Sequence, residues 1–260
     1  MNDQVIVSSV DSLPADIENV VETQRDLEFQ LDRYYCSTDP TPWEMIDLND
    51  LASFLQNAGI EYDNTSSILS IGCGRGRRDL VMLQRVAGLN RPDVSYLGID
   101  LSGSAIRAAC RLVDEMTLFG FDKEVEGHTR RPRLKCACSF LRQNFLDISP
   151  RYRYDMVIDW MCMHDIEGKH IYEWTARIKS LCKSLLAIKV FSPEGSSISE
   201  LGTLGRGIRK NQISEQRILD LFRPDFEIIH SEQYPEDLDP HPRPADGIVA
   251  AKRAYLLRRL

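Results

Sequence analysis

Three glycines at alternate positions directly after an apolar run constrain this chain more than any other feature. Residues 70–80 read Ser-Ile-Gly-Cys-Gly-Arg-Gly-Arg-Arg-Asp-Leu, and they follow the apolar pair Ile68 and Leu69. A short apolar run predicts a buried parallel strand, and leucines at helical spacing after Arg77 predict a helix. Because glycine permits positive φ angles and close ligand approach, the turn between them is typical of a nucleotide-type site. The three residues concerned are Gly72, Gly74 and Gly76.

The glycine spacing and a second acidic segment narrow the class of ligand. The dinucleotide fingerprint is G-x-G-x-x-G, whereas here the third glycine comes one residue early, and no Lys-Ser/Thr pair follows as in a P-loop. Residues 94–100 form a second apolar run ending in Asp100, where a carboxylate can accept hydrogen bonds from both hydroxyls of a ribose. The alternative is a plain turn in which Asp100 caps a helix beginning near Ser102. The two features in this order favour the ribose ligand.

Three segments of the chain carry a resemblance to a known family. The Ile-Gly-Cys-Gly-Arg-Gly loop, the Gly-Ile-Asp-Leu-Ser segment around Asp100 and residues 154–159 resemble the first, second and fourth motifs of class I S-adenosylmethionine-dependent methyltransferases. The resemblance in strand and helix order covers residues 66–255. It implies an α/β fold with a doubly wound, seven-stranded, mostly parallel sheet, a final antiparallel hairpin and an amino-terminal helical cap. This Rossmann-like methyltransferase fold binds S-adenosyl-L-methionine at the carboxyl ends of its first strands.

The resemblance also implies a set of cofactor ligands along these segments. The predicted residues are Gly72, Cys73, Gly74, Gly76, Asp100, Leu101, Asn144, Phe145 and Asp159. In the family, a polar residue at the Asn144 position contacts the adenine amino group while its apolar neighbour packs on the ring, although most members have Asp there. A loop asparagine bonded to its own backbone is the alternative at Asn144. Asp159 is expected to meet the methionine end of the cofactor.

Acid-base chemistry is predicted for His164, in the segment Asp-Trp-Met-Cys-Met-His-Asp-Ile that follows the fourth strand of the family pattern. The ordinary pKa of histidine lies near neutrality, which suits a general base. The carboxyl end of this strand should open into the active-site crevice, where Trp160 and His164 are expected to contact the substrate. A structural histidine at the start of the next helix is the alternative for His164.

The amino-terminal part of the chain carries a second, shorter resemblance. Residues 39–44, Asp-Pro-Thr-Pro-Trp-Glu, are similar to the Pro-Trp-Asp region of thiopurine and related small-molecule methyltransferases, and the spacing of Asp159 and His164 also resembles that group. This similarity implies that Trp43 belongs to a cap closing over the cofactor and contacts the substrate. Anchoring of the cap on the core is the alternative for Trp43. Apolar residues at helical intervals over residues 17–34 predict an amphipathic helix in this cap.

The chain is divided into three parts. Residues 1–12 are predicted to be a flexible tail, residues 13–65 a helical cap and residues 66–260 the cofactor-binding methyltransferase domain. With 260 residues and 43% hydrophobic content, the chain can bury one large core. The pattern predicts helices over 104–119 and 171–181, and a third from a Ser214 cap to Phe222. It predicts a half-buried strand over 134–140, strands over 156–158 and 185–191, and closing strands over 226–230 and 248–251. A charged loop is predicted over 121–133 and a glycine-rich loop over 194–211.

Charge and cysteine content argue against several function classes. A formal net charge of −7 disfavours nucleic acid as a partner, since phosphate binding needs clustered Lys and Arg. Seven cysteines, an odd number without a C-x-x-C pair, indicate neither a disulfide framework nor a zinc site. No metal is therefore predicted, and reduced thiols point to the cytoplasm. The chain has neither a signal region nor a run approaching about 18 apolar residues, so export and membrane spanning are disfavoured.

Together these patterns predict an S-adenosylmethionine-dependent methyltransferase acting on an oxygen, nitrogen or sulfur atom of a small molecule. Methyl transfer from a sulfonium is an in-line displacement that needs alignment more than a covalent intermediate. One alternative is an RNA or protein methyltransferase on the same fold, for which the basic residues Arg206, Arg209 and Lys210 would serve. The other is a catalytically silent, cofactor-binding partner of another enzyme. The sequence predicts neither the accepting atom nor the oligomeric state.

Overall fold

The computed structural model describes residues 32, 35, 48, 50–60, 65–85, 93–119, 123–125, 128–130, 136–166, 170–193, 212–234 and 251–260. The strands in these ranges are β1 (Ser67–Ile71), β2 (Ser95–Asp100), β3 (Lys123–Val125), β4 (His128–Arg130), β5 (Ala137–Arg142), β6 (Tyr154–Trp160), β7 (Cys182–Phe191), β8 (Phe226–Tyr234) and β9 (Lys252–Arg259). The α-helices are α1 (Asp50–Asn57), α2 (Arg77–Arg85), α3 (Gly103–Phe119), α4 (Ile171–Leu181) and α5 (Glu215–Phe222). Short 3-10 helices cover Phe145–Asp147 and Met163–Asp165.

Seven of the strands form one sheet in the order β5-β2-β1-β6-β7-β9-β8. The first five in this order are parallel, and β9 runs antiparallel between β7 and β8. Ile71, at the carboxyl end of β1, pairs with Ile99 of β2 and with Asp159 of β6. The glycine loop, Asp100 and the turn after β6 therefore meet at one edge of the sheet. The predicted doubly wound, mostly parallel sheet with a closing antiparallel hairpin is confirmed.

Helices cover both faces of this sheet. One buried cluster joins helices α1 and α2 to the sheet through Leu51, Phe54, Leu80, Ile68 and Ile158. The other cluster joins α4 and α5 to the sheet through Trp174, Ile178, Phe222, Leu69 and Val157. Consecutive residues of β1 and β6 thus point to opposite faces, as the alternation of side chains along a strand requires. Strands buried on both faces explain the nearly continuous apolar runs in the sequence.

Several predicted elements are confirmed in detail. α4 covers the predicted range 171–181. α5 begins after Ser214, whose hydroxyl oxygen accepts a hydrogen bond from the Arg217 amide at 3.1 Å, so Ser214 is the expected N-cap. β7 extends further than predicted, because it begins at Cys182 rather than at residue 185.

Two predictions are wrong. The segment 121–133, predicted to be a loop, contains the antiparallel pair β3 and β4, in which Lys123 lies opposite Arg130. Backbone pairing over three residues does not require apolar side chains, so the charged composition concealed it. The second concerns the closing strand predicted over 248–251: residues 248–250 lie outside the described ranges, the described Ala251 is not in a strand, and β9 covers Lys252–Arg259. Basic residues at both ends of β9 flank the buried stretch 254–257, so the sequence of this segment is typical of a solvent-exposed one.

Other predictions concern residues outside the described ranges. These are the tail 1–12, most of the cap 13–65 including Trp43, the glycine-rich loop 194–211, and the basic residues Arg206, Arg209 and Lys210. Among the helices that are described, none combines the length and the apolar character needed to cross a membrane.

Candidate functional site

The glycine loop has the backbone conformation that the sequence predicts. Gly72, Gly74 and Gly76 have φ angles of +64°, +56° and +69°. A Cβ at Gly72 would lie 2.9 Å from Sγ of Cys162, in the turn after β6, and a Cβ at Gly74 would lie 2.8 Å from the hydroxyl oxygen of Tyr35. The loop is therefore both left-handed and closely covered, and a side chain at either position would fill the space between the loop and its neighbours.

Asp100 is bonded directly to this loop. Its Oδ2 accepts a hydrogen bond from the Gly74 amide at 2.9 Å, and its Oδ1 accepts one from the Ser102 amide at 2.8 Å. Burial raises the pKa of Asp100 to about 6, although these two amides oppose the shift. The Ser102 hydroxyl oxygen accepts from the Ala105 amide at 3.1 Å, so Ser102 rather than Asp100 caps the helix α3. The Cys73 amide donates to the Ile99 carbonyl at 3.0 Å and ties the loop to β2 a second time.

Two residues that precede the described sheet lie over this junction, and neither was predicted from the sequence. Asp32 Oδ1 accepts hydrogen bonds from the Ser102 hydroxyl at 2.6 Å and from the Ser104 amide at 3.0 Å. The carbonyl of Tyr35 accepts from Nη2 of Arg75 at 2.6 Å, and the Arg75 guanidinium lies 5.7 Å from the centroid of the Tyr35 ring. Both residues are helical and three positions apart, so the helical period predicted over 17–34 was the available signal.

Asp159 holds the turn that follows β6. Its Oδ1 accepts hydrogen bonds from the amides of Cys162 at 3.1 Å and Met163 at 2.9 Å, and its Oδ2 accepts one from Nε1 of Trp174 at 2.8 Å. Burial raises the pKa of Asp159 to about 6, against the effect of these three donors. Met161, inside this turn, has a φ of +73°, which is uncommon for a residue with a side chain. The carboxylate predicted to meet the cofactor therefore shapes the backbone beside the glycine loop.

His164 lies in the short helix Met163–Asp165 and is almost completely buried. Its Nε2 is 3.3 Å from Oδ1 of Asp165, and its ring meets the ring of Phe191 edge-on with centroids 4.6 Å apart. Phe191 is the last residue of β7, so the structure brings His164 to the carboxyl edge of the sheet, as predicted. A neighbouring carboxylate can stabilise a protonated imidazole, which is the form a general base adopts after accepting a proton.

The other predicted residues have mainly structural contacts. Asn144 Oδ1 accepts a hydrogen bond from the Leu146 amide at 3.0 Å, which is the local capping contact foreseen as the alternative. Phe145 is buried against Trp174, with ring centroids 4.5 Å apart. The Leu101 carbonyl accepts from Nε of Arg142 at 3.2 Å.

Trp160 faces the opposite side of the sheet from Asp159. It is buried, and its Nε1 donates to Oδ2 of Asp50 at 2.9 Å, at the start of α1. Its ring lies 5.4 Å from the ring of Phe54 between centroids. The indole thus packs α1 onto the sheet, and the substrate contact predicted for Trp160 finds no support in this geometry. Within the described residues, no group of three or more His, Cys, Asp or Glu side chains is arranged to hold a metal ion.

Comparison with known proteins rests on structure alone, since no family model and no curated protein matches the chain. Magnesium protoporphyrin IX methyltransferase (ChlM) from Synechocystis PCC 6803, solved with bound SAM, has a TM-score of 0.58 at 15% sequence identity, covering 90% of this chain and 97% of its own. The 1,6-didemethyltoxoflavin-N1-methyltransferase of Burkholderia thailandensis, with bound 1,6-didemethyltoxoflavin and S-adenosylhomocysteine, has a TM-score of 0.57 at 17% identity, and the match covers 99% of this chain and 98% of that one. The N-methyltransferase NodS from Bradyrhizobium japonicum WM9, in complex with S-adenosyl-L-homocysteine, has a TM-score of 0.59 at 13% identity, and the match covers 89% of this chain and 97% of that one.

This chain has the class I methyltransferase fold. The similarity extends over nearly the whole length of each of these proteins, so the likeness concerns the complete sheet and its helices rather than one shared motif. The seven-stranded sheet with its closing antiparallel hairpin also agrees with the fold that the resemblance implies.

Proposed function

We propose that this protein is an S-adenosylmethionine-dependent methyltransferase with a small-molecule acceptor. The observation that carries the proposal is the junction of the glycine loop with Asp100. The loop is left-handed at its three glycines, a Cβ at Gly72 or Gly74 would meet Cys162 or Tyr35, and the Gly74 amide is bonded to the acid that ends β2. A loop whose backbone is bare of side chains and an adjacent carboxylate fit the amino acid and ribose portions of a nucleoside cofactor.

Each residue predicted to bind the cofactor would have its own role in holding it. The loop residues Gly72, Cys73, Gly74 and Gly76 would line the methionine portion, and Asp100 would accept hydrogen bonds from the ribose hydroxyls. Leu101, Asn144 and Phe145 would border the adenine, while Asp159 would act through the turn that it holds. The bound cofactor supplies an electrophilic methyl group on a sulfonium. The protein's contribution is to align an acceptor with that group.

His164 is proposed as the general base. It would accept the proton of a hydroxyl or amine acceptor, and the Asp165 carboxylate 3.3 Å from Nε2 would stabilise the resulting imidazolium. An acceptor that arrives as a thiolate or a free amine would need positioning only. Trp43, in the proposed cap, would close over the acceptor.

The small-molecule acceptor is supported by the net charge and by the structural neighbours. A net charge of −7 is unfavourable for binding a polyanionic partner. The neighbours named above include a magnesium protoporphyrin IX methyltransferase and a 1,6-didemethyltoxoflavin methyltransferase, both named for small molecules. We also propose a cap over residues 13–65 in front of a domain over 66–260, supported by the contacts of Asp32 and Tyr35. Free cysteines in the described part of the chain support a cytoplasmic protein.

The test begins with calorimetric titration of S-adenosylhomocysteine. We expect binding that Asp100→Ala weakens by about 1–3 kcal/mol, because ribose hydroxyls and the Gly74 amide would lose their acceptor. Labelled S-adenosylmethionine is then offered to small-molecule, RNA and protein fractions. Label in the small-molecule fraction supports the proposal, and label only in RNA or protein favours that alternative. Binding without any transfer indicates a silent partner, and failure of the wild-type protein to bind rejects the cofactor.

A further inference from the structure

A buried ionic cluster lies at the same edge of the sheet, on the face opposite Asp159. At its centre is Asp50, the first residue of α1. Its Oδ2 lies 2.7 Å from Nζ of Lys189 on β7 and 2.9 Å from Nε1 of Trp160 at the end of β6. Its Oδ1 lies 2.9 Å from Nε of Arg78 on α2. Asp50 is 5% exposed and Lys189 6%, so both charges are removed from water.

This cluster is a costly way to fill a core. Burial lowers the pKa of Lys189 to about 8, in opposition to the neighbouring Asp50 carboxylate. The ammonium also lies 3.6 Å from the centroid of the Tyr234 ring, so an aromatic face replaces part of its water. A protein is often at least as stable when apolar residues of similar volume replace a buried ion pair, so stability alone does not account for these residues. What the cluster provides is fixed geometry between the elements that it joins.

The elements joined by the cluster are the walls of the proposed cofactor site. Trp160 directly precedes Met161, which has a left-handed backbone conformation. The Met161 amide donates a hydrogen bond to the Lys189 carbonyl at 2.9 Å. Cys162 follows, with its Sγ against Gly72 of the glycine loop. Arg78, on the other side of the cluster, is the second residue of α2, which begins directly after Gly76. One carboxylate is therefore connected to both sides of the crevice.

We propose that Asp50 is a positioning residue for the cofactor site, holding the turn at Met161 and Cys162 through Trp160 and Lys189, and the start of α2 through Arg78. The inference rests on the proposed cofactor binding and extends it to a residue outside the family motifs. It predicts that Asp50 affects cofactor affinity without touching the cofactor.

The chain offers a matched control at the opposite edge of the same two strands. Asp155, near the start of β6, lies 3.2 Å from Nζ of Lys183 on β7 through its Oδ1. Its Oδ2 accepts hydrogen bonds from the Ser67 amide at 2.9 Å and from the Ser67 hydroxyl at 2.8 Å. Asp155 therefore links β6 to β7 and β1 at the amino ends of the strands, away from the glycine loop, whereas Asp50 contacts β6, β7 and α2 at the carboxyl ends.

The experiment compares Asp50→Asn with Asp155→Asn in the full chain. S-adenosylhomocysteine affinity is measured by calorimetry, thermal unfolding by circular dichroism, and amide hydrogen exchange by mass spectrometry of the peptide containing residues 160–163. We expect Asp50→Asn to weaken binding about tenfold or more and to accelerate exchange in that peptide. Asp155→Asn should lower the unfolding temperature without either effect.

Equal losses of affinity in the two variants, or unchanged exchange in Asp50→Asn, would overturn the proposal. Asp50→Asn leaves the buried Lys189 ammonium without its carboxylate, and the double variant Asp50→Asn with Lys189→Met removes that charge as well. If the double variant recovers thermal stability but still binds S-adenosylhomocysteine weakly, the positioning role is supported. If it also recovers binding, the positioning role is contradicted. If Asp50→Asn does not fold, Trp160→Phe takes its place: it removes the indole N–H donor to Asp50 and part of the ring packed near Phe54, and it should give the same changes in smaller measure. If the wild-type chain does not bind S-adenosylhomocysteine, the proposed function fails, and the exchange comparison still decides whether Asp50 holds the turn.

Discussion

The Gly74 amide and the Asp100 carboxylate, 2.9 Å apart, make the glycine loop and the end of β2 a single unit. The acid predicted to bind a ribose also holds the loop predicted to bind the rest of the cofactor. A substitution at either residue should therefore affect both parts of the site. The ionisation state of Asp100 should control the affinity of the whole unit.

Cofactor affinity should depend on pH through Asp100. Its pKa in the folded protein is raised to about 6 by burial, so the carboxyl group is protonated below that pH and loses acceptor capacity for ribose hydroxyls. The affinity for S-adenosylhomocysteine should rise between about pH 5 and pH 7 and level off above. Calorimetry across this range should show the rise in the wild-type protein and a flat profile in Asp100→Asn. A matching rise in the variant would assign the titration to another group.

Stability should depend on pH through Asp159. Its pKa in the folded chain, about 6, lies above the ordinary value of 3.8, so the folded state retains a proton that the unfolded state releases. The stabilising contribution is fully present below pH 3.8 and is lost as the pH rises through about 6. A shift of this size corresponds to at most about 3 kcal/mol. Urea unfolding at a series of pH values should show a fall in stability that Asp159→Asn reduces, and parallel curves for the two proteins would contradict the assignment.

Gly74→Val should abolish cofactor binding in a folded protein. The new side chain would be strained at a φ of +56°, and its Cβ would lie 2.8 Å from the Tyr35 hydroxyl oxygen. Gly59→Val is the matched control, because Gly59 has a φ of +66° and its Cβ would meet nothing within 4 Å. Both variants should lose stability from backbone strain, about 1–2 kcal/mol, as measured by denaturant unfolding. Normal cofactor binding in Gly74→Val would make the loop merely structural.

His164→Ala should lower kcat by about 10²–10⁴-fold while leaving cofactor affinity nearly unchanged, if the acceptor must lose a proton to a base. Because His164 is buried against Phe191, the unfolding temperature has to be measured in the same variant. Loss of rate together with affinity would indicate a structural histidine. An unchanged rate would indicate an acceptor that needs positioning only.

The sequence predicted the fold best where one physical cause dominates. Strands buried on both faces read as apolar runs, which located β1, β2 and β6, and the Ser214 cap located α5 because its hydroxyl contact is local. β9 was misplaced because its basic ends obscure a short buried centre. The hairpin of β3 and β4 is held by backbone pairing, which leaves no apolar signal.

For the site, the sequence predicted which segments meet but not where every side chain points. Strand alternation already requires Asp159 and Trp160 to face opposite sides of the sheet, so the different surroundings of these two residues could have been foreseen. The Asp50 and Lys189 contact could not. Charged residues 139 positions apart suggest solvent exposure when considered singly, and only tertiary packing brings them together.

The sheet order also imposes a sequence of events on folding. β9 follows β8 in the chain but lies between β7 and β8, and the pairing described for β8 is with β9 alone. β8 therefore cannot join the sheet while the ribosome has yet to complete β9, although α4, α5 and β7 are already made. Until then β7 presents an open edge with buried-type residues such as Ile188, and a nascent chain at this stage is exposed to strand pairing with other molecules.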